Sequence, residues 1–206
     1  MLSHGVRGAV LAGGAARRYG GTPKGLLEVG GRRLLDRVVE ALCAVTREPP
    51  VVIANAPEAA GWRPDLAAIP DARYGAGSLG GIYTAVCAGP GPVLCVAWDM
   101  PFVTPALLRA LRDGAAAGPF DAYLPASGGR RGVEPLCAVY GPACGPAIAR
   151  RLDGGDLRAI GFHQDVRIGT LSLDRIRCFG VPDVLFFNVN SPADLARAED
   201  VLRRCG

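Results

Sequence analysis

Between Val10 and Lys24 the chain leaves an apolar run, Val10-Leu11-Ala12, enters Gly13-Gly14-Ala15-Ala16-Arg17-Arg18-Tyr19-Gly20-Gly21, and ends on a lysine. Bare amide N–H groups at Gly13 and Gly14 approach an anion closely, because no side chain stands in the way. Arg18 and Lys24 supply the positive charge that a polyphosphate tail needs. The competing reading is an ordinary Gly-rich turn. This first loop carries neither the dinucleotide fingerprint G-x-G-x-x-G nor the Walker pattern G-x-x-x-x-G-K-[ST]. A second chemical feature is Asp99 in Val96-Ala97-Trp98-Asp99-Met100-Pro101, a lone carboxylate after an apolar run. It is a hard oxygen ligand of the kind Mg²⁺ takes when it also holds nucleotide phosphates; the alternative is a capped turn before Pro101. Asn55 and Asp71 follow other apolar stretches, and each also reads as a turn residue.

These groups need a scaffold that brings them together, and the apolar pattern predicts one. Residues 7–12, 50–54 and 92–97 read as buried strands, apolar throughout after Arg7. Between and after them, 33–45, 78–87 and 105–117 have helical spacing, with Thr104 as N-cap and Pro105 in the first turn of the last. Alternation of buried strands and helices predicts an α/β protein, a mostly parallel sheet with helices on both faces. Ligands in such sheets bind beyond the carboxyl ends of the strands, where Gly13, Asn55 and Asp99 all fall. Further on, 122–125, 135–140, 169–173 and 186–190 read as strands, and 141–152 and 157–163 as helices. Ser191 opens a last helix with Pro192 first and Asp194 three residues on.

Composition narrows the class. The 206 residues are 50% hydrophobic, enough for a sizeable core, and the net charge of +4 is too mild for a nucleic-acid footprint. Seven cysteines without a C-x-x-C read as reduced thiols of a cytoplasmic protein, and the 2 histidines are too few for a zinc cluster or a His-based triad. No apolar run approaches membrane-spanning length, so neither membrane nor nucleic acid is expected as a partner.

In order along the chain, Leu11-Ala12-Gly13-Gly14, Arg18-Tyr19-Gly20, Lys24, Asn55, Asp71, Ser78-Leu79-Gly80-Gly81, Cys95 to Pro101 and Phe187-Asn188-Val189-Asn190-Ser191-Pro192-Ala193-Asp194-Leu195 resemble the signature of the molybdenum cofactor guanylyltransferases. Single motifs are shared with sugar nucleotidyltransferases; the ordered set spans nearly the whole chain. The resemblance implies a Rossmann-like nucleotidyltransferase fold in one domain over residues 1–206, with a nucleotide-binding half to about residue 117 and a second-substrate half beyond it. It implies transfer of GMP from GTP to molybdopterin with release of pyrophosphate. Leu11, Ala12, Gly13, Gly14, Lys24, Asn55, Asp71 and Asp99 would contact GTP, and Asp99 would hold Mg²⁺. Arg18, Lys24 and Asp99 are the expected catalytic groups, Asn188 and Asn190 the expected pterin contacts. Transient contact with molybdoenzymes or their chaperones would accompany this role.

The chain departs from the family pattern at Tyr19, Ser78 and Ser191, and at Glu134, where many relatives carry Gln or His before Pro135-Leu136. The rival readings are a molybdopterin cytidylyltransferase, a sugar-phosphate nucleotidyltransferase, and a non-catalytic nucleotide-binding adaptor. Nucleotide preference separates the first two from the guanylyl reading, and pyrophosphate release separates the third.

Overall fold

A computed structural model of the chain describes residues 5–13 and 22–205. Its centre is a seven-stranded sheet built from β1 (Arg7–Leu11), β4 (Val51–Ile53), β5 (Ala68–Ile69), β6 (Val93–Ala97), β7 (Ala122–Pro125), β8 (Cys137–Tyr140) and β9 (Ile168–Leu171), in the order β5-β4-β1-β6-β8-β7-β9. The strands run parallel except β8, which is antiparallel to both β6 and β7. The expected mostly parallel sheet is therefore mixed at one strand. A short hairpin, β2 (Glu28–Val29) and β3 (Arg32–Arg33), stands apart from the sheet. Its turn is Gly30-Gly31, with φ of 59° and 68°. Both positive φ values suit a two-residue hairpin turn, and glycine reaches them without a Cβ penalty.

Why these stretches become strands is visible in their burial. In β6 every residue is buried, and successive side chains enter opposite layers: Leu94 and Val96 join one apolar cluster, Val93 and Cys95 the other. A strand covered on both faces must be apolar throughout, which explains the continuous run. One face carries α1 (Leu34–Cys43) and α4 (Pro105–Ala116), through Leu35, Val38, Leu42, Leu107, Leu108 and Leu111. The other carries α3 (Gly77–Cys87) and α5 (Cys144–Asp153), through Leu79, Ile82, Ala147 and Ile148. Each fully buried Leu or Ile stabilises the fold by roughly 1.5–3 kcal/mol. At α4 the Leu107 N–H donates to Thr104 Oγ1 at 3.3 Å, the expected cap. Shorter helices α2 (Ala59–Trp62), α6 (Leu173–Arg177) and α7 (Pro182–Leu185) fill connections, and α8 (Pro192–Cys205) closes the chain.

Several expectations change. Residues 186–190 are not a strand. Their alternating apolar positions are satisfied otherwise, with Phe187 and Val189 packing into a third small cluster with Val29, Leu34 and Ala198. The Val189 N–H is spent on the Asp99 carbonyl at 2.9 Å instead of on a ladder. Residues 157–163 form no α-helix: turns over 159–162 lead into a 3₁₀ turn, His163–Asp165, and at the start the Asp156 carboxylate accepts from the Arg158 backbone N–H at 3.1 Å and holds its guanidinium. Within the connection from Asn55 to Arg73, β5 forms a sheet edge that two apolar residues are too few to announce. Among the described residues no helix is long and apolar enough to cross a membrane.

Candidate active site

The sheet's carboxyl edge opens into a cleft of about 950 Å³. The exits of β1, β4, β5 and β6 and the approach to β8 meet there. Gly13, Asn55, Asp71, Asp99 and Glu134 all line it, brought from distant positions by the strand order. Leu11, Ala12, Lys24, Asn188 and Asn190 line the same cleft. Gly14 and Arg18 lie outside the described residues.

At the β4–β5 side, Asn55 and Asp71 form a reciprocal pair. Asn55 Nδ2 donates to Asp71 Oδ2 at 2.7 Å, and the Asp71 backbone N–H donates to Asn55 Oδ1 at 2.8 Å. Both faces of the Asn55 amide are thereby used, so this side chain orients the Asp71 carboxylate. Gly81 of α3 faces the pair: a Cβ there would lie 3.8 Å from Asp71 Oδ1. The Ala72 N–H donates to Thr84 Oγ1 at 2.9 Å, pinning the segment to α3.

The centre of the cleft is a three-residue polar cluster. Lys24 Nζ donates to Asp99 Oδ2 and to Asn190 Oδ1, each at 2.8 Å. The Lys24 and Asp99 side chains are only 14% and 10% exposed. Asp99 is held at this depth by its neighbours: the Trp98 N–H donates to the Leu11 carbonyl at 3.2 Å, and the Asp99 carbonyl accepts from Val189. Lys24 opens a 3₁₀ turn, Lys24–Leu26, in which Gly25 presses on the Trp98 ring so closely that a Cβ would overlap it. Trp98 in turn packs against Trp62, ring centroids 5.1 Å apart. Both indole N–H groups are buried without an acceptor among the described residues. These are the chain's 2 tryptophans, and both line the cleft.

Asn190 is thus a partner of Lys24, and the Asn188 amide donates to the Phe186 carbonyl at 2.9 Å. The helix cap beside them belongs to Ser191, whose Oγ accepts from the Asp194 N–H at 3.2 Å while Asp194 Oδ2 accepts from the Asn190 N–H at 3.1 Å. This capping box leaves the Asn190 side chain free for Lys24. The Ser191 hydroxyl also holds the Asp194 carboxyl below its ordinary range.

At the β8 side, the antiparallel register that pairs Val96 with Cys137 runs on toward Asp99 and Glu134. The Ala97 N–H donates to the Leu136 carbonyl at 2.8 Å. Glu134 Oε1 accepts from the Leu136 N–H at 3.1 Å, and burial, followed by the Asp99 charge, pushes its carboxyl above the ordinary range.

Sequence reasoning missed three features of the site. The tilted Trp62–Trp98 ring contact joins residues 36 positions apart, and no periodicity links them. Tyr74, 89% exposed, stands at the mouth of the cleft. Gly75-Ala76-Gly77-Ser78-Leu79-Gly80 matches G-x-G-x-x-G at the start of α3, with Gly75 and Gly77 at φ of 79° and 58°. It follows the sheet-edge strand β5, not the first strand, so its place in the fold differs from that of the dinucleotide fingerprint.

The arrangement suits chemistry on anions: a carboxylate able to hold a hard cation, an ammonium beside it, and backbone glycines along the strand exits. Residues 8–167 match the family model described as MobA-like NTP transferase domain. A probable molybdenum cofactor guanylyltransferase of Pelotomaculum thermopropionicum is 38% identical over 192 residues, covering 93% of this chain and 90% of the relative. A molybdenum cofactor guanylyltransferase of Desulfosudis oleivorans is 33% identical, covering 96% of both chains. The crystal structure of molybdopterin-guanine dinucleotide biosynthesis protein A from Archaeoglobus fulgidus superposes with a TM-score of 0.82 at 28% identity, over 97% of this chain and 100% of that one. The chain belongs to the MobA-like NTP transferase family, among its molybdenum cofactor guanylyltransferases.

Proposed function

We propose that the protein transfers GMP from GTP to molybdopterin. A terminal phosphate oxygen of molybdopterin attacks the α-phosphorus of GTP in line; the new P–O bond forms as the bond to the β-phosphate bridging oxygen breaks, and pyrophosphate leaves. The nucleophile is already anionic, so no side chain has to take up GMP covalently on the way. The barrier is the approach of two anions and their orientation.

The observation that carries this reading is the Lys24–Asp99–Asn190 cluster, which lies between the polar groups at the two ends of the cleft. An ammonium carries three N–H donors. Two are spent on Asp99 and Asn190, and the third remains for a phosphate oxygen. Asn190 therefore serves as the group that aims Lys24. The Asp71 carboxylate, oriented by Asn55, offers acceptors for the adjacent N1–H and 2-amino donors of guanine, while the base lies over the Leu11-Ala12-Gly13 backbone. Gly14 and Arg18 add donors for the phosphate tail.

A divalent cation, Mg²⁺ in this proposal, would be held by the Asp99 carboxylate and would supply positive charge against the phosphates. The donor chemistry fits: Asp99 Oδ2 faces Lys24, and Oδ1 has no donor among the described residues. Among those residues no cluster of three metal-ligating side chains occurs, which suits an ion such as Mg²⁺ that needs only one or two protein carboxylates. A cytoplasmic setting suits the six cysteines that are free among the described residues. The test is pyrophosphate release from GTP with Mg²⁺, with and without molybdopterin. Release that requires molybdopterin and prefers GTP to CTP is expected; preference for CTP, or nucleotide binding without release, overturns the reading.

A further inference from the structure

Among the described residues Glu134 is a carboxylate without a salt-bridge partner, in a cleft that, on the reading above, takes two polyanionic substrates. It is partly buried, lines the cleft and has one protein partner among the described residues, the Leu136 N–H at 3.1 Å. The nearby Asp99 charge opposes its ionisation and Arg131, exposed at the rim, favours it. A carboxylate repels phosphate, so its ligand must offer N–H or O–H donors or a cation. Asp99 already serves the cation in the reading above, with Lys24 against it.

The strand order decides which donors reach it. From β5, which Asp71 follows, to β8, which Glu134 precedes, there are four strand spacings across β4, β1 and β6. At about 4.8 Å each, these residues stand roughly 19 Å apart along the sheet edge. A guanine held at Asp71 is beyond the reach of Glu134. The group that Glu134 meets belongs to the other substrate, on the far side of Asp99. Guanine and pterin are both fused 2-amino-4-oxopyrimidines, each presenting a ring N–H beside an exocyclic amine. The joined product carries this donor edge at both of its ends. The cleft carries a carboxylate at both of its ends, each already oriented by one amide group: Asp71 by Asn55, Glu134 by the Leu136 N–H.

Resting on the guanylyl-transfer reading, we propose that Glu134 accepts hydrogen bonds from the 2-amino and ring N–H donors of the pterin, as Asp71 does from guanine, so that the two ends of the cleft read the same chemical edge with the same group.

The test is Glu134→Gln. A glutamine carbonyl keeps the acceptor for Leu136 N–H, so a merely structural role predicts no change, whereas loss of the charge weakens donors that a carboxylate holds. The expected result is a KM for molybdopterin raised about tenfold or more with the KM for GTP within about twofold. 6-Hydroxymethylpterin, which has the heterocycle without the phosphate, should compete with molybdopterin, with a Ki raised by a similar factor in the variant. The Tm of Glu134→Gln should equal or exceed that of the parent, since a poorly solvated charge has been removed. Unchanged pterin constants, no competition by the free pterin, a shift in the Mg²⁺ requirement alone, or a fall in Tm each overturn the assignment. Quenching of the pterin's own fluorescence gives the same comparison without turnover. A parent chain that binds pterin but transfers no GMP sinks the functional reading only; a parent and variant equal in pterin binding sink this one only.

Discussion

Lys24 and Asp99 are held as one unit, and a double-mutant cycle tests that directly. Their charged atoms are 2.8 Å apart, with side chains 14% and 10% exposed. At that distance and an effective dielectric constant near 20, the gross attraction is about 6 kcal/mol. Desolvation of both ions offsets much of it. Removing one partner leaves the other charge buried, which costs about 3–5 kcal/mol in fully buried pairs. Some water reaches this pair, so Lys24→Met should cost about 3 kcal/mol. Asp99→Asn should cost less, about 1.5 kcal/mol, because the lysine keeps its Asn190 carbonyl and can turn toward solvent. The double variant buries no unpaired charge and should cost about 2 kcal/mol, some 2.5 kcal/mol less than the sum of the singles. Urea unfolding of the four proteins at one pH measures it. Additivity within about 0.5 kcal/mol would mean that the two charges do not hold each other, and the account of the site's centre would fall. Turnover behaves differently: both single variants lose at least about 10²–10³ in kcat, and the double variant regains stability relative to Lys24→Met without regaining activity.

Other consequences can be checked separately. Asp99→Ala should stay folded by circular dichroism yet show no metal-dependent pyrophosphate release. Gly25→Ala drives a methyl into the Trp98 ring, so it should lower stability by about 1–3 kcal/mol and lower kcat through the displaced Lys24; wild-type values for both would refute the contact. Ser191→Ala removes the cap of α8 and should cost about 1 kcal/mol in thermal unfolding. Asp121 is held to a pKa of about 2 by the Arg167 guanidinium and backbone N–H. A carboxylate whose folded-state pKa is depressed contributes stability that is full above the unfolded value near 3.8 and lost as pH falls toward about 2. Asp121→Asn should therefore flatten the acid side of the stability profile in that window, and an unaltered profile would remove Arg167 from the account.

Much of this architecture could be read along the chain. The runs at 7–11 and 93–97 lie between two helical layers, so both of their faces had to be apolar, and continuous hydrophobicity marked them as central strands. Thr104-Pro105 and Ser191-Pro192 with Asp194 are local devices, complete within four residues, and sequence carries such devices whole. The run 186–190 misled because alternation is satisfied equally by an extended segment seated on a small cluster; only the destination of the Val189 N–H separates the two. β5 and the hairpin were missed because two residues make no pattern.

The kinds of groups at the site follow from residue type and order: glycines after the first strand, a carboxylate after β6, a lysine following the loop. Their pairing follows from the fold. Asn55 is committed to Asp71, and Asn190 to Lys24, across 16 and 166 positions of chain. Glu134 reaches the cleft because β8 inserts antiparallel beside β6 and so begins where its neighbours end. Hydrophobic period and capping are local and are written in neighbouring residues. A hydrogen bond between distant side chains depends on strand order and register, which are settled only when the sheet is assembled and each buried polar group must find a partner.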